Sequence, residues 1–205
     1  MRSSEQNIES LEPGAVLLRG FANGEAASLV DEIERIADAA PFRNMVTPGG
    51  FAMSVAMTNC GAFGWITDRK GYRYGDIDSD SGKTWPAMPE AFRDLARRAA
   101  DAAGFDGFAP DSCLINRYVP GAKMSLHQDK DETDFAAPIV SVSLGLPGIF
   151  LWGGAKRSDR PRRLRLESGD VVVWGGPARL RFHGVDTVAE GEAPCRYNLT
   201  FRKAK

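Results

Sequence analysis

From Phe105 onward the sequence breaks into eight short β-patterned runs: Cys113–Val119, Met124–Asp129, Ile139–Leu144, Ile149–Trp152, Leu164–Leu166, Val171–Trp174, Leu180–His183 and Cys195–Arg202. Turn pairs separate them, among them Pro120-Gly121, Pro147-Gly148, Gly153-Gly154, Ser168-Gly169 and Gly175-Gly176. Proline presets one backbone angle and glycine reaches conformations closed to other residues, so such pairs reverse the chain. Many short strands joined this way bury their apolar faces by stacking as a sandwich or jelly roll.

The first half reads differently. The N-terminal dozen residues are polar and are expected to be frayed, so residues 1–13 are predicted flexible. Ala15–Leu18 reads as a strand. Asn23 to about Ala40 is helical, with Leu29, Ile33 and Ile36 on one face and Asn23 as N-cap. Phe51–Thr58 alternates, with Phe51, Met53, Val55 and Met57 on one side of a strand. Residues 59–85 lack clear periodicity and read as a long loop or lid with short strands. A second helix follows Pro89, turns Phe92, Leu95 and Ala99 inward, and stops at Gly104. Helices in front of a strand-rich half give an α+β, mainly β class: one domain over 14–205, with its jelly-roll core at 105–205.

The chain has 205 residues with 43% hydrophobic, enough for one real core. Its 26 basic and 27 acidic residues leave a net charge of -1, so nucleic-acid binding would rest on local patches. Cys60, Cys113 and Cys195 form no CxxC, which points to a reducing, cytoplasmic compartment. No signal peptide and no membrane-spanning run is visible.

Two histidines are all the chain has. His127 lies in Leu126-His127-Gln128-Asp129, and on a strand residues i and i+2 face the same way. His183, after a strand at 180–182, can join them as a facial triad of two imidazoles and one carboxylate, leaving open positions on Fe(II). On residues alone, Asp129 with Lys130, Asp131, Glu132 and Asp134 also reads as a solvated charged loop. Zinc with hydrolase chemistry stays open too.

The last strand puts Arg196, Asn198, Thr200 and Arg202 on one face and Cys195, Tyr197, Leu199 and Phe201 on the other. The polar face either meets water or lines a cavity, where Arg forks suit a dicarboxylate. Asn116 and Tyr118 share a strand face in the same manner. Arg69-Lys70-Gly71-Tyr72-Arg73-Tyr74 mixes basic and aromatic residues as strand-tracking surfaces do, and 156–163 is a second basic run.

The runs PFRNMVTPGGFAMSVAMTNCG, PDSCLINRYVPGAKMSLHQDKDE, APIVSVSLGLPGIF, GDVVVWGGPARLRFHGV and CRYNLTFR resemble the AlkB family of nucleic-acid dealkylases from about residue 14 to 203. The resemblance implies a double-stranded β-helix core, a nucleotide-recognition lid at about 45–85, and Fe(II), 2-oxoglutarate and O2 as reactants. It implies oxidative removal of N-alkyl groups, of the 1-methyladenine and 3-methylcytosine type, from DNA and also RNA, by a monomer. Matched by motif, His127, Asp129 and His183 are iron ligands. Asn116, Tyr118, Arg196, Asn198 and Arg202 contact 2-oxoglutarate, the two arginines meeting its carboxylates. Trp65, Tyr72, Asp131, Arg157, Met57 and Thr47 surround the base or its strand. The extreme N-terminus, the 156–163 loop and Met124 depart from the family pattern.

Two other readings fit parts of the sequence. One is an oxygenase of the same cofactor class acting on a protein side chain or small metabolite. The other is a non-catalytic sandwich that binds nucleic acid.

Overall fold

The computed structural model describes residues 7–205. Strands β1 (Asn7–Glu12) and β2 (Ala15–Arg19) form a hairpin, followed by helix α1 (Ala26–Ala39). Then come β3 (Arg43–Val46), β4 (Ala52–Gly61), β5 (Gly64–Asp68), β6 (Gly71–Gly75) and helix α2 (Glu90–Ala102). The second half adds β7 (Ser112–Tyr118), β8 (Met124–His127), β9 (Ile139–Gly145), β10 (Gly148–Trp152), β11 (Arg162–Leu166), β12 (Val171–Trp174), β13 (His183–Val185) and β14 (Arg196–Arg202).

Eight strands form one sheet in the order β1-β2-β12-β9-β14-β7-β4-β3, and four form a second, β11-β10-β13-β8. All recorded strand pairs are antiparallel. One face of the large sheet carries the helices. Leu29, Ile33 and Ile36 of α1 and Phe92, Leu95 and Ala99 of α2 pack there with Ile115, Val142, Leu199 and Phe201. The other face meets the small sheet, where Leu17, Leu114 and Val172 pack with Phe150, Trp152 and Val185. This is the jelly roll buttressed by helices that the strand pattern predicts.

The alternation of β14 follows from these two coverings. Its odd residues face the helices and its even residues face the gap between the sheets. All seven residues are buried, so the polar face does not meet water. A polar face enclosed this way must be satisfied by neighbours or by a ligand.

Four local expectations change. Residues 7–12 are paired to β2 rather than frayed, because Leu11 buries against the inter-sheet core; residues 1–6 lie outside the described part. Asn23 is not an N-cap: it sits in a short 3-10 turn, and α1 begins at Ala26 without a side-chain cap. Phe51 is 75% exposed, in the turn before β4, and from Val55 to Cys60 both faces of β4 are covered. Leu180 is exposed and the strand predicted at 180–183 lies instead at His183–Val185. The stop of α2 at Gly104 holds: this residue takes the left-handed backbone (φ +84).

Candidate metal and co-substrate site

His127 ends β8 and His183 begins β13, and the strands pair with these two residues directly opposite. Their ring centroids are 4.4 Å apart. Asp129 lies two residues beyond β8, not on the predicted strand, yet it still turns inward. Its carboxylate oxygens stand 3.6 Å from His127 Nε2 and 3.7 Å from His183 Nε2. The three ligand atoms lie within 4.8 Å of one another. Gly184 makes the close approach possible, because a Cβ there would meet the Met124 carbonyl oxygen at 2.6 Å.

The imidazoles are aimed by their other nitrogens. Nδ1 of His127 lies 2.9 Å from the Ser125 carbonyl, and Nδ1 of His183 lies 3.1 Å from that of Arg181. A carbonyl only accepts, so each Nδ1 carries the proton and each Nε2 presents a lone pair. Burial, reinforced by His127, lowers His183 to about 4, which keeps it a neutral ligand at pH 7. Burial alone would raise the Asp129 carboxyl, but the Arg202 guanidinium, joined by the imidazoles once acid protonates them, outweighs it and holds Asp129 well below the usual carboxylate range.

A network of buried charge surrounds the triad. Arg202 donates to Asp129 Oδ2 from Nη2 at 2.7 Å and from Nε at 3.0 Å, and its Nε lies 3.3 Å from Glu132. Arg179 donates to the Asp129 carbonyl at 2.8 Å, to Glu132 at 3.1 Å and to the Ala137 carbonyl at 3.1 Å. Tyr74 of β6 donates to Glu132 at 2.6 Å. Two arginines thus balance two carboxylates, as burial requires. Asp129 and Glu132 are therefore not part of a solvated acidic loop. Sequence reasoning missed Glu132, Arg179 and Tyr74 as site residues; nothing in their local pattern separates them from surface polar residues.

Behind the triad the cavity, about 730 Å³, runs between the sheets. Asn116, Tyr118, Arg196, Asn198 and Arg202 all line it. Arg196 donates to Ser143 Oγ at 2.6 Å and to the Leu146 carbonyl at 3.3 Å. Gly148 gives it room, since a Cβ there would come within 3.0 Å of Arg196 Nε. Arg196 Nε and Arg202 Nη1 are buried and have no protein partner. Asn198 spends its amide on Ser141 Oγ (2.8 Å) and the Val142 carbonyl (3.1 Å), while its oxygen accepts from Asn116 and Thr200.

The remaining predicted residues extend from the buried Met57 to the half-exposed Tyr72. Thr47, Met57, Trp65, Tyr72, Asp131 and Arg157 line the same cavity. Trp65 of β5 and Tyr72 of β6 stack at 5.6 Å with an interplanar angle of 17°. Trp65 Nε1 donates to Asp131 at 2.8 Å. The Arg157 guanidinium donates to the Leu126 carbonyl and lies 5.9 Å over Phe182. The two basic runs are thinner than their sequence suggests. Arg73 pairs with Asp68 at 2.7 Å, Arg163 with Asp186 at 2.6 Å, and Arg162 donates to the Leu11 carbonyl.

Residues 14–202 match the family model of the 2OG-Fe(II) oxygenase superfamily. The chain is 60% identical over 200 residues to the alpha-ketoglutarate-dependent dioxygenase AlkB of Escherichia coli K12, covering 96% of this chain and 93% of that protein. The chain belongs to the AlkB family of 2OG-Fe(II) oxygenases. The solved structure of OsALKBH1 superposes with a TM-score of 0.85 at 30% identity, covering 96% of this chain and 99% of that one. A more distant relative is the DNA N(6)-methyladenine demethylase ALKBH1C of Arabidopsis thaliana, 29% identical over 94% of this chain and 49% of its own length.

AlkB-family enzymes use Fe(II), 2-oxoglutarate and O2, and the residues here fit all three. Two neutral imidazoles and a carboxylate are an iron(II) donor set that leaves open positions, whereas a closed structural zinc site wants four ligands. Two buried arginines that line one cavity, each with an N–H left unpartnered, suit a dicarboxylate. His127, Asp129 and His183 form the iron site.

Proposed function

We propose that this chain oxidatively dealkylates N-alkylated bases of the 1-methyladenine and 3-methylcytosine type in DNA, and also in RNA. The supporting observation is the stacked Trp65–Tyr72 pair at the mouth of the cavity that holds the iron site, with Trp65 tied to Asp131. Iron and 2-oxoglutarate, when bound with O2, supply the oxidant for an otherwise inert C–H bond, yielding succinate and CO2. The C–N bond of the hydroxylated N-methyl group then breaks: formaldehyde leaves, its hydroxyl proton is released, and the electron pair returns to the ring nitrogen, which restores the neutral base.

The protein's task is placement. A methyl group inside a duplex is out of reach, so the base enters extrahelically or from a single strand. A cationic lesion pairs poorly, which lowers the cost of extrusion. Tyr72 covers one face of Trp65, the indole stacks on the base, and Asp131 meets its positive charge or exocyclic amine. Residues 45–85 act as the nucleotide-recognition lid, with Thr47 and Met57 bordering the base and Arg157 meeting its backbone. Arg196 and Arg202 hold the two carboxylates of 2-oxoglutarate, with Asn116 and Tyr118 beside them. Asn198 completes that wall by fixing Asn116. The three cysteines are free and buried, and no helix among the described residues is long and apolar enough to cross a membrane. The free thiols suit the reducing cytoplasm, and a cavity lined entirely by one chain suits a monomer.

Methylated single- and double-stranded oligonucleotides of DNA and RNA, read by mass spectrometry with formaldehyde release, test this reading. Succinate formation with no formaldehyde from any of them would direct the search to protein or metabolite substrates. Trp65→Ala is expected to weaken turnover of methylated bases by about 1–3 kcal/mol of lost stacking, and to spare uncoupled 2-oxoglutarate decarboxylation. Equal losses in both reactions would make Trp65 structural.

Binding is expected to depend on salt despite the net charge of -1. Each neutralised phosphate of a single strand contributes a slope of roughly -0.7 in log affinity against log salt, and a cavity that takes one base touches few phosphates. Arg157→Ala is expected to flatten the slope and to leave succinate formation without nucleic acid intact. Fluorescence anisotropy over a salt series checks it, and a slope identical to wild type places Arg157 outside the footprint.

A further inference from the structure

Glu12 closes β1 in the large sheet, yet its carboxylate acts on the small one. It accepts from Arg181 Nη2 at 2.6 Å and Nε at 3.0 Å, and from Trp152 Nε1 at 2.9 Å. Both partners adjoin His183. Trp152 is its cross-strand partner on β10. Arg181 precedes it by two residues and supplies the carbonyl that takes the His183 Nδ1 proton. Trp152 also packs edge-on against Trp174 at 5.9 Å, and Trp174 lies 4.9 Å from the His183 ring.

We propose that Glu12 is a positioning residue for the iron ligand His183, so that the first strand of the chain is part of the metal centre's support. A ligating imidazole is only as well aimed as the group that holds its second nitrogen. Here that group is a backbone carbonyl whose own residue is anchored by a two-point, charge-assisted contact to Glu12. The same carboxylate fixes the indole beside His183 across the strand pair. Glu12 thus restrains the ligand along its strand and across it, from a position 171 residues earlier in the chain.

Co(II) in place of iron reports the site optically through its ligand-field bands, with no nucleic acid or co-substrate present. Removing outer-shell support of a metal ligand typically costs 10- to 100-fold in metal affinity. Glu12 acts one step further out, so Glu12→Gln and Arg181→Met are each expected to weaken Co(II) binding by about tenfold and to alter the bands. The double variant is expected to be no weaker than the worse single one, because with Glu12 replaced the Glu12–Arg181 contact is already lost and Arg181→Met has nothing further to remove. Arg19 supplies the control. It stands at the other end of the same hairpin, pairs with Glu9 at 3.2 Å and Asp170 at 2.9 Å, and touches neither neighbour of His183. Arg19→Met is expected to lower the melting temperature and to keep Co(II) affinity within about twofold of wild type. Wild-type affinity in Glu12→Gln or in Arg181→Met, additive losses in the double variant, or an equal loss in Arg19→Met would each overturn the proposal. The titration is independent of which base, if any, the enzyme repairs.

Discussion

Asp129→Ala is expected to eliminate iron-dependent turnover and, unlike replacement of either histidine, to destabilise the metal-free protein sharply. All three replacements remove an iron ligand, so His127→Ala and His183→Ala also lose turnover. The difference lies in charge. His183 is neutral in the fold, lowered to about 4 chiefly by burial, so its loss leaves no ion unpaired. Asp129 is the partner of Arg202, which donates two hydrogen bonds to one of its oxygens and is itself buried. Removing one member of a buried ion pair typically costs about 3–5 kcal/mol, because the survivor stays desolvated. Glu132 at 3.3 Å offsets part of that, which places the expectation near the lower end. Urea unfolding of chelator-treated protein measures the stability, and succinate formation measures turnover. Retained iron-dependent activity in any of the three variants would rule out the triad. Unchanged stability in Asp129→Ala would mean that Arg202 has another route to compensation.

The sign of the pH dependence follows from the same pair. Asp129 titrates below the ordinary carboxylate range in the fold, so its contribution is fully present above about pH 4 and is lost as pH falls further.

How far the sequence discloses this site depends on which contacts are local. The triad is legible because its two histidines are the only ones and because His127 and Asp129 are two residues apart. The paired faces of β7 and β14 are legible because strand alternation is a local rule. Whether the Arg196–Arg202 face meets water or a cavity is not local: it depends on the small sheet closing over it, and only the fold decides. The buried set of Glu132, Arg179 and Tyr74 is not legible for the same reason. Its members lie on three separate segments, and each reads as an ordinary surface residue by itself. The N-terminal strand is not legible because its residues are mostly polar and its one wholly apolar exposed side chain, Ile8, gives no alternating pattern. Its pairing with β2, the burial of Leu11 and the reach of Glu12 to Arg181 are long-range facts. Conversely, the basic run at 156–163 overstated the positive surface, since Arg162 and Arg163 are spent within the fold.

Arg202→Lys is expected to impair use of 2-oxoglutarate strongly although the charge is kept. Arg202 performs several tasks with one planar group. Nε and Nη2 hold the iron ligand Asp129, Nε also meets Glu132, and Nη1 is left buried and unpartnered in a residue that lines the cavity. A lysine brings a single nitrogen, which cannot span those directions from one position. It must either follow Asp129 and abandon the co-substrate carboxylate, or reach for the carboxylate and release Asp129. Hydrogen bonds to charged groups contribute about 1.5–3 kcal/mol each, so loss of one corresponds to roughly 10- to 150-fold in apparent affinity. The decisive measurement is succinate formation as a function of 2-oxoglutarate concentration at saturating iron. A rise in the half-saturating concentration with a smaller change at saturation assigns Arg202 to the carboxylate. A loss at every concentration, paired with weaker Co(II) binding, assigns its main role to Asp129. A concentration dependence identical to wild type would remove Arg202 from the co-substrate site and leave Arg196 as the cation that faces it.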